Sequence, residues 1–360
     1  MTTFRHSRVF IRFGEIIVSL CMRFVNMKNF LVYHRCAIGV ALVVACIAGL
    51  PQVIVKNKLG PADQGIPYLV NDSEGEYLSR VNEVLDGHIS LSSPMLHEYK
   101  DSVSLMPPTG EIIFYALPVA LTGLSLSTIV FLSKFAYPAL LFLFAYLFIL
   151  SLLNKSDVGA KLSAIAGALL VVIGYDAYDY RNFVSYIMQG TPDAAGLLWN
   201  RLVHPITGGV LLFVFLWLLS KIVQEKARWP TIVISGFILA AMSGYIFSFA
   251  LGLTISALLG LYFAWRKNWS LGMRAGAPVA LALVLNTPYF VGAFFATRGA
   301  TPVSDPLKAG MLLTHEPLIN LVSLFSLIGA VACFLIFFRK DATSEQEKRW
   351  WFFILATLIA

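Results

Sequence analysis

Long apolar runs dominate this chain and constrain its fold more than any other feature of the sequence. Several runs approach the ~20 residues that an α-helix needs to cross the ~30 Å hydrocarbon core of a bilayer. Inside that core, only helices and closed barrels satisfy their own backbone hydrogen bonds. Only 13% of the residues are charged, whereas a soluble domain has about 25%. We therefore predict an all-α polytopic membrane protein.

The apolar runs predict about eight or nine transmembrane helices. The complete runs lie at residues 36–55, 129–153, 162–176, 206–223, 231–247, 250–265, 275–295 and 317–338. A ninth run begins at Trp350 and reaches only Ala360, which is about half the length of a crossing. We therefore expect a chain truncated at its C-terminus, with a basic N-terminal segment, 1–35, and a transmembrane domain, 36–360.

The basic residues distinguish the two sides of the membrane. Short basic segments alternate along the chain with longer segments that carry more acids. The basic segments are residues 1–35, 154–161, 221–230, 266–274 and 339–349. The positive-inside rule places such segments in the cytoplasm, which predicts a plasma (inner) membrane protein with a cytoplasmic N-terminus. The net charge of +7 then reflects topology, and we predict no binding to nucleic acid.

The long loops therefore face outward, and the first of them, residues 56–128, has the richest chemistry. From Tyr77, apolar residues recur at the helical spacing of Val81, Val84 and Leu85, which predicts an amphipathic helix on the membrane surface. A second short helix is predicted over 111–117, because Pro118 and its limited length oppose a full crossing. Within the first helix, the spacing of Glu76 and Arg80 favours a solvated i, i+4 ion pair.

The first outer loop resembles that of a known family of membrane enzymes. The segment "NDSEGEYLSRVNEVLDGH", followed by "EYKD" and "PPTGEIIFYALP", is similar to the first-loop signature of bacterial GT-C glycosyltransferases, such as protein mannosyltransferases and the aminoarabinose transferase of lipid A. The resemblance is best over residues 40–155. It is looser through 201–265, where "RLVHP" and "SGYIFSF" fit the pattern.

The resemblance implies a reaction on the outer face of the membrane. Such enzymes transfer a sugar, with inversion, from a polyprenyl-phosphate lipid to a glycan, lipid or protein acceptor. A carboxylate near the membrane surface would take the proton of the acceptor hydroxyl. Many relatives place Asp-Glu side by side, four residues before the tyrosine. Here Asp72 precedes Tyr77 by five residues and Glu74 precedes it by three, which leaves open which acid is the base. We predict Asp72 as the base, with Glu74 as its partner or replacement.

The leaving phosphate needs a cation or a metal. We predict that Arg201, just before the fourth span, binds it, with Arg298 as the second candidate, because the guanidinium fork suits phosphate. Tyr77 and Tyr245 are candidates for the wall of the substrate cavity. Asp176 and Asp179, two acids on the outer side, complete the candidate cavity. They are also candidate ligands for a divalent metal, which the sequence does not require.

The same residues have plainer interpretations. Asp72 fits an N-cap, the two arginines fit side chains that extend to the membrane surface, and Tyr245 fits the aromatic belt. The alternative function is a transporter or flippase of lipid-linked sugars. Transporters place ionisable groups near the midplane, whereas Lys134 lies near an outer end, which favours the enzyme. A non-enzymatic subunit would tolerate the loss of Asp72.

Overall fold

The computed structural model describes residues 27–66, 69, 73–88, 108–178, 198–299, 328–329, 331–332, 335 and 344–359. Helices are the only regular secondary structure in this part of the chain. In chain order they are α1 (Met27–Tyr33), α2 (Arg35–Leu59), α3 (Ser73–Leu85), α4 (Thr109–Thr122), α5 (Leu126–Leu153), α6 (Val158–Tyr178), α7 (Ile206–Val223), α8 (Trp229–Ala241), α9 (Ile246–Trp265), α10 (Trp269–Gly299) and α11 (Glu345–Ile359). The all-α class is therefore confirmed for the described residues.

Five of the described helices are long and apolar enough to cross a membrane: α2, α5, α7, α9 and α10. Two other predicted crossings fold as helices whose apolar lengths, Val158–Gly174 and Trp229–Gly244, fall short of that criterion. Most of the predicted eighth crossing, 317–338, lies outside the described residues. The fold is that of a helical membrane protein, and the predicted count of eight or nine spans stays a prediction.

The basic loops gather at one end of the bundle, which we name the basic end. The loop after α5 meets the start of α2, where Lys161 Nζ lies 3.4 Å from the centre of the Tyr33 ring. Glu345 at the start of α11 pairs with Arg266 after α9 at 2.6 Å, and Arg349 pairs with Glu225 after α7. The alternation predicted from the charges therefore corresponds to a shared end in the structure. Which side of the membrane it faces is a separate matter of topology.

The opposite end, which we name the polar end, is where α2 ends and α5 begins. Small residues let these two helices approach closely: a Cβ on Gly49 would lie 2.2 Å from the Phe135 ring. A Cβ on Gly208 at the start of α7 would lie 2.3 Å from Tyr245. Such contacts need glycine because no side chain can occupy space already filled by an aromatic ring. They fix the helices that carry the polar residues described below.

The two short helices of the first loop pack on the polar end. In α3, the packed face includes Val81, which is fully buried, and Glu74. In α4, Tyr115 is 1% exposed, and Phe114 accepts a hydrogen bond from Tyr137 of α5 through its carbonyl oxygen. One face of α4 packs into the bundle, because its aromatic residues fill the space between α5 and the segment before α7. A position in the membrane interface stays a prediction for this helix.

Candidate functional site

A buried ion pair joins α3 to the second long helix. Glu74 is 0% exposed and Lys134 of α5 is 3% exposed, and Lys134 Nζ lies 3.4 Å from Glu74 Oε2. The same ammonium donates to the carbonyl oxygen of Asn200 at 2.5 Å, and Glu74 Oε1 accepts from the Leu202 amide at 3.2 Å. A charge buried this deeply must be paired to persist. The pair therefore anchors α3 and the segment before α7 to α5.

A second ion pair joins the two short helices of the first loop. Arg80 Nε lies 2.9 Å from Glu111 Oε1, with side chains 14% and 1% exposed. The atoms are close, but their angle is outside that of a hydrogen bond, so the attraction is mainly electrostatic. Burial raises the pKa of Glu111, while the Arg80 guanidinium opposes that shift. We expected Arg80 to pair with Glu76, and that prediction is wrong, because packing of α4 against α3 offers Glu111 instead.

Three aromatic rings line up next to these charges. The imidazole of His204 stacks on Tyr245, with ring centres 4.7 Å apart and planes at 15°. Tyr77 of α3 meets the same imidazole edge-on at 5.1 Å. The rings come from α3, from the segment before α7 and from the break between α8 and α9. Tyr77 and Tyr245, both predicted to line a cavity, are thus brought together through a histidine that the prediction had left out.

Arg201 lies beside this aromatic group and is partly exposed. Its Nε is buried and has no hydrogen-bond partner, and no ion pair joins it to a described residue. Its charge acts on Tyr245, lowering the pKa of that phenol against the larger, opposite effect of burial. A buried N–H without a partner is costly in a folded protein. Arg201 is therefore the candidate anion-binding group of this site.

The segment that carries Arg201 and His204 is held on both sides. The Asn200 side-chain amide donates to the carbonyl oxygen of Ala48 in α2 at 2.7 Å. The Val203 amide donates to the Tyr115 hydroxyl of α4 at 3.2 Å. Burial raises the pKa of Tyr115 to about 12, so its hydroxyl stays neutral. A guanidinium on a segment fixed in this way is pre-organised for binding.

His204 is neutral in the folded protein. Burial lowers its pKa to about 3, and the nearby Arg80 acts in the same direction. The ordinary pKa is about 6.5, so between these two values the unfolded chain binds more protons than the folded one. Stability therefore rises with pH across this window and falls as the pH decreases through it.

We expect wild-type protein to lose about 2 kcal/mol of stability through His204 between about pH 6.5 and pH 5. Replacing His204 with glutamine removes this pH-dependent contribution to stability. The difference in thermal unfolding midpoint between about pH 7 and pH 5, measured in detergent, should therefore shrink in His204→Gln. The exposed histidine variant His88→Gln serves as the control and should keep the wild-type difference. An equal difference in all three proteins would contradict a neutral, buried His204.

The structure describes only some of the predicted site residues. Glu74, Tyr77, Arg201 and Tyr245 gather at the polar end, as described above. Asp72 and Asp179 lie outside the described residues. Two further candidates have described backbones in α6 and α10 but side chains outside the description, namely Asp176 and Arg298. Their assigned roles stay predictions.

Several residues of the cluster escaped the sequence analysis. Lys134 is the only charge within the 28 residues of α5, and an ionisable residue inside an apolar helix is a recognised signal of a functional or structural site. Glu111 gave a similar signal at the start of α4. Neither His204 nor Tyr289 gave such a signal in the sequence. In the structure, the Tyr289 hydroxyl of α10 is buried without a hydrogen-bond partner among the described residues, and it lies within electrostatic range of Arg80.

The described residues show no cluster of three or more His, Cys, Asp or Glu side chains that could hold a metal ion. The acids considered for metal binding in the sequence, Asp176 and Asp179, have side chains outside that description. No known family model, curated protein or solved structure matches the chain. The arguments for its function therefore rest on its own residues.

Proposed function

We propose that this chain is a membrane glycosyltransferase that moves a sugar from a polyprenyl-phosphate lipid to an acceptor hydroxyl, with inversion. The observation that carries the proposal is the partly exposed guanidinium of Arg201, which has no ion-pair partner among the described residues, beside the aromatic rings of Tyr77, His204 and Tyr245. Binding sites for organic ligands combine aromatic walls with a few fixed polar groups. An arginine beside such walls suits a phosphate attached to a sugar.

In the proposed reaction, the acceptor oxygen attacks the anomeric carbon of the sugar. The bond between that carbon and the phosphate oxygen breaks, and the lipid phosphate leaves with the bonding electrons. Arg201 stabilises the negative charge on the leaving phosphate, with Arg298 as the second candidate. Asp72 takes the proton of the acceptor hydroxyl as general base. Glu74 supports Asp72 from two residues away by anchoring the start of α3 to Lys134.

The location of the cluster supports an active site at a membrane surface. It lies at the polar end, where α2 ends and α5 begins, and in the proposed reaction a lipid-linked donor approaches it from the bilayer. In the proposed topology this end faces outward. A donor on that side must be lipid-linked, which agrees with the predicted use of a polyprenyl-phosphate sugar.

The buried pair of Lys134 and Glu74 favours a second candidate, a transporter or flippase of lipid-linked sugars, because intramembrane charges often mark transport pathways. The position of Lys134 along α5 argues against a transport role for this pair. Lys134 is the ninth residue of α5, about 12 Å from its start at 1.5 Å per residue, and the helix is about 42 Å long against a core of ~30 Å. Lys134 therefore lies on the outer side of the midplane in the proposed topology.

We expect cells that carry Asp72→Asn to accumulate the sugar-loaded carrier lipid and to lack the glycosylated acceptor, as cells without the gene do. Loss of the general base removes roughly 10²–10⁴ in rate. Mass spectrometry of lipid-linked sugars and cell-surface glycans measures both effects, and membrane fractionation checks that the variant is present at wild-type amounts.

Detergent-permeabilised membranes separate the two candidate functions, because both membrane faces are then open to the substrates. Transfer that still requires the wild-type chain supports the enzyme. Transfer that proceeds in permeabilised membranes without the chain would establish the transporter. Wild-type transfer by Asp72→Asn would remove Asp72 from the mechanism.

A further inference from the structure

A separate cavity of about 450 Å³ opens at the polar end, between the last turns of α2 and the first turns of α5. The loop after α2 closes its third side. One wall is apolar and includes Leu59, Ile66 and Phe131, and Leu59 and Ile66 are 48% and 75% exposed. The cavity shares no lining residue with the cluster around Arg201, so it is a second site.

The polar wall of this cavity carries one charge of each sign. Lys56 Nζ lies 3.7 Å from Asp63 Oδ2, which is longer than a direct hydrogen bond of ~2.9 Å. Its side chain is 63% exposed, and an ammonium has three N–H donors. Lys56 can therefore bind a second anionic group without losing Asp63. Asp63 is held in place by the Gly65 amide, which donates to Oδ1 at 3.0 Å.

The depth of the cavity corresponds to the headgroup region of a bilayer. The 28 residues of α5 make a helix of about 42 Å, longer than a hydrocarbon core of ~30 Å. With this excess length shared between its two ends, the first turn of α5 extends past the core. Ser127 and Thr128, which line the cavity, lie in that turn, and the Ser127 hydroxyl donates to the carbonyl oxygen of Gly65. The polar wall thus meets headgroups, while Phe131, which lies deeper along α5, adjoins the acyl chains.

We propose that this cavity binds a zwitterionic phospholipid of the phosphatidylethanolamine type. Lys56 binds the lipid phosphate, and Asp63 binds the lipid ammonium. The hydroxyls of Ser127 and Thr128 lie near the ester region, and one acyl chain packs along the apolar wall. Charge complementarity selects this occupant, because an anionic lipid meets Asp63 as a like charge and a polyprenyl phosphate has no ammonium to pair with it. The inference does not depend on the proposed transferase activity.

The test measures lipid binding directly on the purified full chain. The chain in detergent is titrated with phosphatidylethanolamine, phosphatidylglycerol and a polyprenyl phosphate. Native mass spectrometry measures the fraction of chain that carries each lipid. We expect phosphatidylethanolamine to bind most tightly. Lys56→Gln and Asp63→Asn should each weaken that binding by about fivefold, because each removes one exposed charge contact. Lys58→Gln, on the same helix end but outside the cavity lining, is the matched control and should bind like wild type.

Two results would overturn the proposal. If phosphatidylglycerol or the polyprenyl phosphate binds at least as tightly as phosphatidylethanolamine, and Asp63→Asn strengthens that binding, the cavity is an anion site. If neither Lys56→Gln nor Asp63→Asn differs from Lys58→Gln, lipid does not bind between these two charges. Lys56 and Lys58 are exposed, and Asp63→Asn keeps an oxygen for the Gly65 amide. Unchanged thermal unfolding midpoints are therefore expected and confirm that all variants are folded.

Discussion

Replacing Lys134 with methionine should destabilise the protein by about 3–5 kcal/mol, the usual cost of leaving a buried charge without its partner. Methionine keeps the length and apolar stem of lysine but removes the ammonium. Glu74 then remains fully buried and loses the contact to Lys134 Nζ. The thermal unfolding midpoint in detergent measures the effect. Lys155→Met, an exposed lysine just after the same helix, should stay within about 0.5 kcal/mol of wild type.

The double variant Glu74→Gln/Lys134→Met tests the pairing itself. Glutamine keeps a carbonyl oxygen for the Leu202 amide and removes the charge, so most of the lost stability should return. Purely additive losses in the double variant would contradict the ion pair. The same protein also separates two roles of Glu74. Recovered transfer activity identifies an anchor, whereas a stable but inactive double variant identifies Glu74 as the base.

Replacing Arg201 with alanine should lower kcat/KM for sugar transfer roughly 10²-fold or more, the cost of losing a preorganised group that stabilises the leaving charge. Arg201→Lys keeps the charge but lacks the fork, so it should recover only part of the rate. The measurement is transfer from a synthetic polyprenyl-phosphate sugar by purified protein.

Arg228→Ala is the matched control for Arg201. Arg201 lies just before α7, and Arg228 is an exposed arginine just after the same helix, at the basic end. Its loss should leave the rate unchanged. Wild-type rates in Arg201→Ala would contradict the proposed phosphate site, and Arg298 would then be the cation to test. Unfolding midpoints distinguish a lost phosphate contact from a collapsed site, because a partly exposed arginine with no ion-pair partner among the described residues contributes little to stability.

Much of the helical framework could be predicted from the sequence. The predicted runs at 129–153 and 206–223 correspond to α5 and α7 to within a few residues. Burying ~20 apolar side chains in lipid is a local property of a segment, so the runs contain the necessary information. The amphipathic helix of the first loop, α3, was found in the same way, because its apolar spacing is also local.

The ion-pair partners at the polar end could not be predicted from the sequence. Arg80 has Glu76 four residues before it, yet it pairs with Glu111, 31 positions along the chain. Glu74 and Lys134 are separated by 60 positions. Nothing in the spacing of such residues shows that they meet. Their pairing depends on how α3 and α4 pack against α5, which is decided by shape and burial over the whole bundle.

By itself, the sequence determined that this chain forms apolar helices, that its basic loops gather at one end, and that its first loop carries short helices. These properties follow from transfer of each segment between water and lipid. Only the tertiary structure decided that Lys134 neutralises Glu74, that His204 lies between Tyr77 and Tyr245, and that Arg201 has no ion-pair partner among the described residues. Those outcomes depend on contacts between distant segments, where desolvation makes each buried polar group require a particular partner.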